Sequence, residues 1–583
     1  VTRRRRSNGP PRQVGDGRVG APPPPDPPAR RSADRDDEGL RRDVGFFGLL
    51  WISAGTTLGS GWLFSAFVAV TIAGPAALVG WILAAALMAP LALVYAELGA
   101  MFPESGGPGR FADHAFGPLA GATFGWFAYL QAATIAPIEV LAAIQYLSTN
   151  SWASGLYDAG QGTLSASGYV TAVLLMGLFV TLNLLGIRLL ARANSAITVF
   201  KLAIPVLTAL ALAATAFHVE NFTAAGGFFV QGDGGPMQSV FSAITAGGIV
   251  FALMGFEGAL QVGGESASPQ RDLPRAVLGS FLGCTLIYVV VQVAFIGALP
   301  PSLLAEATSW TGLAGNAHLA TAPFFVLAGL VNLVWLAWIL RVDAVVSPSG
   351  TGLLYLTEAS RLSFGLSRDG YVPKVFLVED ERTEVPFWGV LMSAGLGLLF
   401  LLPFPSWGKL VSVVTGAVVL MYAGAPLALG SLRRSRPDAV RPYRLPAARV
   451  VAPMSFVFAT AIAYWAGWQT ISTLMLALLL GLGLMALARS FRLDRDPPPV
   501  EWSAARWLLP YLVGLSMLSY FGRFGPGGIL GGAGPVAHVL VGGEGTIPQW
   551  WDLVAVAALS LAVYAAAVRQ GHAGPARSGP TAP

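Results

Sequence analysis

Two stretches of an otherwise apolar chain carry residue types that can open a helix to a ligand. Gly55-Thr56-Thr57-Leu58-Gly59-Ser60-Gly61-Trp62 lies inside the first long apolar segment, and Gly247-Gly248-Ile249-Val250-Phe251-Ala252-Leu253-Met254-Gly255-Phe256-Glu257-Gly258 lies inside the sixth. Each glycine in a helix interior costs about 1 kcal/mol relative to alanine, so a plain lipid-facing anchor has no use for this density. A helix broken at such a point exposes amides on one half and carbonyls on the other, with the half-helix dipoles aimed into the gap. An α-amino acid has one anion and one cation to place there. Glycines also permit close helix packing. Paired interruptions at matching places, in helices that run in opposite directions, point instead to an inverted-repeat transporter with its site near the bilayer midplane.

Ionisable residues inside apolar segments are the second signal. A charge at mid-bilayer costs at least about 2.5–3.5 kcal/mol on insertion scales, so Glu139, Lys201, Glu257, Arg341 and Asp343 each need a reason. Arg341 and Asp343 stand at i and i+2, do not face each other on a helix, and require separate partners. Arg341 could hold an acidic substrate side chain, or pair with Glu139 or Glu257.

The elements that must position these residues follow from composition. The chain of 583 residues is 54% hydrophobic and 11% charged, with a mean hydropathy of +0.62, whereas soluble domains carry about 25% charged residues. Apolar runs of about 20 residues, each long enough to cross a hydrocarbon core as a helix, recur near 46–73, 76–99, 118–147, 167–188, 194–217, 237–264, 277–299, 322–347, 386–403, 408–430, 449–468, 471–489, 505–522 and 550–568. With the N-terminus inside, 32 of the 36 Lys and Arg residues fall on the cytoplasmic side of these fourteen spans, and the loops 148–166, 218–236 and 300–321 carry none. That asymmetry places both termini in the cytoplasm.

Residues 1–42, with Arg3 to Arg6 and a proline cluster from Pro22 to Pro28, read as a disordered cytoplasmic tail without the apolar core of a signal peptide. The single cysteine, Cys284, excludes an intrachain disulfide, and the five histidines form no ligand-spaced pair. The net charge of +5 reflects basic residues at the ends of apolar runs, which orient helices, and not a nucleic-acid surface. Neither a phosphate loop nor a Gly-x-Ser-x-Gly elbow argues for an enzyme, and no recurring polar rings argue for a channel. No cofactor is expected.

The motifs together resemble the amino acid-polyamine-organocation superfamily of permeases. Gly59-Ser60-Gly61 is similar to that family's substrate-carboxylate loop, and Phe251-Ala252-Leu253-Met254-Gly255-Phe256-Glu257 to its broken sixth helix. Further likenesses are Tyr95-Ala96-Glu97-Leu98 through Gly107, Pro269 to Ala276, Ser367 to Pro373, and Arg441-Pro442-Tyr443-Arg444-Leu445-Pro446. The resemblance spans 43–490. The helices in 491–568, followed by a cytoplasmic tail at 569–583, resemble the fourteen-helix branch that includes bacterial aspartate:proton symporters. Trp62 stands where the family usually has a small aliphatic residue.

This resemblance implies an all-α integral membrane protein with a five-plus-five inverted repeat and broken first and sixth helices. It implies a substrate carboxylate on the amides of Gly59, Ser60 and Gly61, an ammonium on carbonyls of Phe251, Ala252 and Gly255, and Phe256 or Phe251 as a gate. Lys201 matches a family lysine that occupies the place where sodium-coupled relatives bind the ion. The alternative is a lysine that snorkels to the membrane surface about 10 Å away. Glu257 matches a family glutamate implicated in proton coupling or gating, with a static bond to the unwound backbone as the alternative. Glu97, Arg110, Glu265, Arg271, Asp272, Arg368 and Asp369 correspond to an inner-gate network. The expected function is import of an amino acid by proton symport across the cytoplasmic membrane of a bacterium, with an amino acid/amine exchanger of the same fold as the alternative.

Overall fold

Apolar runs that cannot satisfy their backbone in lipid except as helices dictate the architecture. The structure, a computed structural model, describes residues 44–103, 107–185, 187–230, 235–368, 370–379, 385–402, 406–490, 502–524, 543–548 and 550–571, with only the backbone described at 187–196 and 488–489. The expected tail at 1–42, most of 569–583, Asp369, and Glu104 to Gly106 lie outside the described residues.

The first expected span is two helices, α1 (Phe46–Thr57) and α2 (Gly61–Ala73), and α3 (Ala77–Met101) returns across the membrane. A short α4 (Pro108–Phe116) leads into α5 (Pro118–Leu147), followed by α6 (Ala166–Leu184) and α7 (Ile187–Thr215). The sixth expected span is broken twice, into α8 (Pro236–Thr245), α9 (Ile249–Leu253) and α10 (Gly258–Gln261). After α11 (Pro269–Ala298), the short helices α12 (Pro301–Ala307) and α13 (Ala317–Thr321) precede α14 (Pro323–Leu330) and α15 (Val334–Arg368). The chain continues through α16 (Phe387–Leu401), α17 (Trp407–Ser435), α18 (Ala448–Trp465), α19 (Gly467–Ser490), α20 (Leu508–Phe521) and α21 (Trp551–Gln570). Proline opens α4, α5, α8, α11, α12 and α14, where its missing N–H costs nothing.

Each of the fourteen expected spans carries helix. Among the described residues nine helical stretches are long and apolar enough to cross a membrane, and α1, α16 and α20 are shorter apolar helices. Two boundaries differ most from expectation. The helix expected at 277–299 begins at Pro269, because Arg271, Asp272 and Arg275 continue it past its apolar part. The span expected at 322–347 is α14 plus α15, joined through Asn332 at φ 58°, and α15 runs on to Arg368.

The membrane-spanning helices form an all-α bundle whose centre is α5 and α17, buried along their lengths. Leu174, Leu210, Leu282, Leu479 and Leu509 turn outward from surrounding helices, the pattern of a bundle solvated by lipid. α15 packs along α5, and α11 packs against α1, α3 and α7. The last helix docks on α18, where the Tyr464 hydroxyl donates to Asp552 at 2.5 Å.

At one end of the bundle Glu97 is fully buried and receives Arg433 Nε and Nη2, one edge of the guanidinium, at 3.0 and 2.5 Å. Arg441 approaches the same carboxylate at 3.3 Å and the Leu445 amide donates to it at 2.7 Å. This carboxylate ties the end of α3 to the end of α17 and to the following loop. Burial lowers the pKa of Arg441, and the neighbouring Glu97 opposes that shift. Because a buried pair that loses one partner leaves an uncompensated charge, Glu97→Ala is expected to cost about 3–5 kcal/mol, read as a clear fall in the unfolding temperature of the purified protein. An unchanged unfolding temperature would show that the cluster does not hold the two helices together.

Candidate functional site

Breaking α1 from α2 leaves buried carbonyls that nearby side chains satisfy. The Leu58 amide closes on Ala54 before the backbone turns extended. The Thr351 hydroxyl of α15 lies 3.1 Å from the Gly55 carbonyl and 2.9 Å from that of Leu58. The Tyr288 hydroxyl of α11 donates to the Thr57 carbonyl at 3.0 Å. Lys201 reaches the same place from α7: its Nζ donates to the Gly55 carbonyl at 2.7 Å and to Thr351 Oγ1 at 2.5 Å. The side chain is 1% exposed, so the ammonium sits at the negative end of the α1 dipole and does not snorkel.

At the start of α2 the Ser60 amide donates to Glu139 Oε2 of α5 at 2.8 Å. No acceptor among the described residues meets the amides of Gly59 and Gly61. Glycine at 59 leaves the space that the Glu139 carboxylate occupies, because a Cβ there would lie 2.5 Å from Glu139 Oε1 and 3.0 Å from the Thr351 methyl. Trp62, the departure from the family pattern, donates from Nε1 to Asp343 Oδ2 at 3.1 Å. That bond supplies the separate partner that Asp343 required.

The second break mirrors the first. Gly248 at φ 78° precedes α9, and Gly255 at φ 101° follows it, both in the region that favours glycine. A Cβ on Gly255 would lie 2.8 Å from the Thr56 carbonyl carbon, so the two breaks touch through backbone. The Thr56 hydroxyl donates to the Gly255 carbonyl at 2.7 Å, and the Ser53 hydroxyl donates to the Phe256 carbonyl at 2.9 Å. Glu257 Oε2 accepts from the Gly255 amide at 3.0 Å and from the Tyr422 hydroxyl of α17 at 2.5 Å. No donor among the described residues reaches the carbonyls of Phe251, Ala252 or Leu253.

Most sequence-derived candidates therefore converge. Gly61 faces the second break, where an added Cβ would meet the Ala252 Cα at 3.2 Å and the Phe251 ring at 3.4 Å. The unpaired amide of Gly61 at the start of α2 thus belongs to a backbone that packs against α9, whose last carbonyls are also unpaired. Gly255 departs from expectation, since its carbonyl already accepts from Thr56 and from the Gly258 amide at 2.9 Å. Phe256 stacks on Tyr422 and meets Tyr95 and Phe281 edge-on, on the side of α3, α11 and α17. Phe251 is the ring that lies beside Gly61. Arg341 is not drawn into the break: its guanidinium sits 4.7 Å from the Phe325 ring and 4.8 Å from that of Trp338, which is 62% exposed. It holds neither Glu139 nor Glu257. Of the inner-gate residues, Glu97 pairs with Arg433 and Arg441, and Glu265 pairs with Arg361 at 2.6 Å.

Sequence reasoning missed Trp407, Thr351 and Tyr422. Trp407 Nε1 donates to Ser60 Oγ at 2.9 Å, its ring stacks on Phe64 at 4.9 Å, and it meets Phe251 edge-on at 5.7 Å. It therefore covers both breaks from α17. A polar or aromatic residue next to glycine in an apolar run, as in Trp407-Gly408 or Gly350-Thr351-Gly352, is the signal that could have singled out the first two. Nothing local marks Tyr422.

A family model described as amino acid permease matches residues 44–486. The glutamate/serine transporter AimA of Bacillus subtilis (strain 168) is 35% identical over 540 residues, covering 91% of this chain and 94% of that protein. The aspartate-proton symporter of the same organism is 33% identical over 531 residues, covering 90% and 96%. The branched-chain amino acid permease BcaP, also from that organism, is 27% identical over 473 residues, covering 77% and 94%.

The bond from Tyr422 to Glu257 fastens the second break to α17. Tyr422→Phe leaves a buried carboxylate short of a donor, a loss of about 1–3 kcal/mol, and is expected to lower the unfolding temperature by less than Glu97→Ala does. An unfolding temperature equal to that of the unmodified protein would mean that the hydroxyl does not secure the break.

Proposed function

The chain belongs to the amino acid permease family, and on that premise we propose that it imports an acidic amino acid, aspartate or glutamate, by proton symport across the cytoplasmic membrane of a bacterium. The observation that carries this reading is that the two breaks touch, Gly61 lying against Ala252 and Phe251, and that both carry unpaired backbone groups, the amides of Gly59 and Gly61 in one and the carbonyls of Phe251 and Ala252 in the other. The amides sit at the positive end of α2 and suit a carboxylate, while carbonyls suit an ammonium. Backbone atoms recognise only the part common to all amino acids. The acidic cargo is inferred from relatives described as a glutamate/serine transporter and an aspartate-proton symporter. Both termini are assigned to the cytoplasm from the distribution of Lys and Arg.

For a substrate to enter, Gly61 must part from Phe251 and Ala252, and the Trp407 ring must leave Ser60. The cluster of Glu97 with Arg433 and Arg441 and the pair of Glu265 with Arg361 close the cytoplasmic end in this assignment. Lys201 fixes the end of α1 only while its ammonium can donate to both Gly55 and Thr351. Loss of its proton leaves two N–H groups but removes the positive charge from the negative end of the α1 dipole, which weakens both bonds and loosens α7 from α1 and α15. Proton release is thereby linked to movement of the helix that holds the carboxylate. Exchange of one amino acid for an amine draws no support from the relatives' names, one of which is a proton symporter.

Two variants test this assignment in proteoliposomes. Gly61→Leu places a side chain against Ala252 and is expected to abolish binding of L-aspartate and L-glutamate while the protein still inserts; retained affinity would remove the site. Lys201→Ala is expected to abolish accumulation driven by an imposed pH gradient, and gradient-driven accumulation equal to that of the unmodified protein would reject the lysine as the coupling group.

A further inference from the structure

The amide that a substrate carboxylate needs is already held by a carboxylate of the protein. Glu139 comes from the middle of α5, is 1% exposed, and accepts from the Ser60 amide at 2.8 Å. Its other oxygen, Oε1, has no hydrogen-bond partner and points at Gly59. One carboxylate oxygen is thus on the central amide of the break, and the second is aimed along the same loop with nothing to receive it. The surroundings are shaped for this side chain. Gly59 leaves room for Oε1, since a Cβ there would lie 2.5 Å from it, and Gly352 of α15 stands in ordinary contact with the Glu139 Cβ.

We propose that Glu139 is a resident stand-in for the substrate carboxylate. In its ionised form it holds the Ser60 amide, and on taking up a proton it releases that amide to the incoming carboxylate. This rests on the reading that an amino acid binds at the two breaks. Two ionised carboxylates cannot share one buried amide loop without strong repulsion. The Lys201 ammonium attracts carboxylate charge at this place, but it donates to Gly55 and Thr351 and to neither Glu139 nor a second carboxylate, so one positive charge faces two negative ones. The titratable groups that face Glu139 are Lys201 of α7, Tyr288 of α11 and Tyr355 of α15, with Asp343 of α15 and Cys284 of α11 also acting on Lys201. The neighbouring turns of α5 contribute none, since residues 135–143 read Ile-Ala-Pro-Ile-Glu-Val-Leu-Ala-Ala. Of these groups Glu139 alone touches the Ser60 amide.

The charge balance is simple. A proton from the side of substrate entry neutralises the Glu139 carboxylate, the substrate brings one carboxylate in its place, and the net charge on the Ser60 amide loop is unchanged. When the substrate leaves on the other side, Glu139 returns to the amide and its proton departs to that side. One proton therefore accompanies each substrate by replacement of one carboxylate by another. Lys201 and Glu139 divide the work: Glu139 carries the proton taken up as the substrate binds, while Lys201 keeps its own proton during binding and acts on the later movement of α1, so only Glu139 sets the pH dependence of binding.

The experiment measures binding of L-aspartate and L-glutamate to the purified full chain as a function of pH, for the unmodified protein and for Glu139→Gln. The unmodified protein is expected to gain affinity by about tenfold for each pH unit of acidification above the titration midpoint, the slope of one linked proton. Glu139→Gln is expected to give a flat profile and no proton uptake on binding. A Glu139→Gln protein that keeps both the slope and the proton uptake overturns the proposal. A second measurement needs no variant: on addition of L-aspartate labelled with carbon-13, infrared difference spectra of the unmodified protein should gain an unlabelled protonated-carboxyl band. Binding without that band also overturns it. Failure of the unmodified protein to bind either amino acid would instead overturn the functional reading from which this one starts.

Discussion

A backbone amide or carbonyl left unpaired in the hydrocarbon region costs several kcal/mol, and this chain releases several of them by breaking two helices side by side. The surrounding helices are arranged to meet that cost. Thr351, Lys201 and Tyr288 take up the carbonyls at the end of α1. Ser53 and Thr56 of α1 take up carbonyls of the second break. Glu139 and Glu257, one from outside its break and one from within, take up the amides of Ser60 and Gly255. The amides of Gly59 and Gly61 and the carbonyls of Phe251, Ala252 and Leu253 remain without partners among the described residues. Those leftover groups are the chemistry that a zwitterion can complete.

The same constraint explains the placement of small residues far from the breaks in sequence. Gly350-Thr351-Gly352 lets α15 pack closely beside the first break: a Cβ at Gly350 would lie 2.9 Å from Ile197 Cγ2, and one at Gly352 would lie 2.6 Å from the Phe179 ring, while Lys201 and Glu139 stand at ordinary contact distance from the same two glycines. The three residues thus reach both ends of the first break from one helical turn. Trp407 and Tyr422 do the corresponding work from α17, one on Ser60 and one on Glu257. Because α5 and α17 are buried along their length, the residues they present to the breaks stand on the most confined helices of the bundle. The polar cluster at Glu97 lies at the far end of α17 and couples that helix to α3.

Much of this was legible in the sequence. Apolar length located the membrane segments, and glycine density located the breaks, because both are local properties of the chain. Lys201 and Glu257 were readable because an ionisable group in lipid demands a partner. Their partners were not readable, since Gly55 lies 146 positions from Lys201 and Tyr422 lies 165 positions from Glu257. Arg341 shows the limit of that reasoning. Its charge demanded a partner, and two aromatic faces supplied it where a substrate or a carboxylate was expected. Glu139 shows the opposite case: an unexplained carboxylate in the sequence becomes, once α5 is placed against the first break, the group on the most important amide. Trp407 gave little warning because tryptophan near the start of a membrane helix ordinarily marks an interface.

The central claim is that the amides between α1 and α2 and the carbonyls after α9 hold an amino acid between them. A structure of the full chain determined with L-aspartate bound tests it most directly. The account predicts the substrate α-carboxylate on the amides of Gly59, Ser60 and Gly61, its ammonium on the carbonyls of Phe251 and Ala252, and Glu139 withdrawn from Ser60. L-aspartate bound elsewhere, with the Ser60 amide still on Glu139, would contradict it.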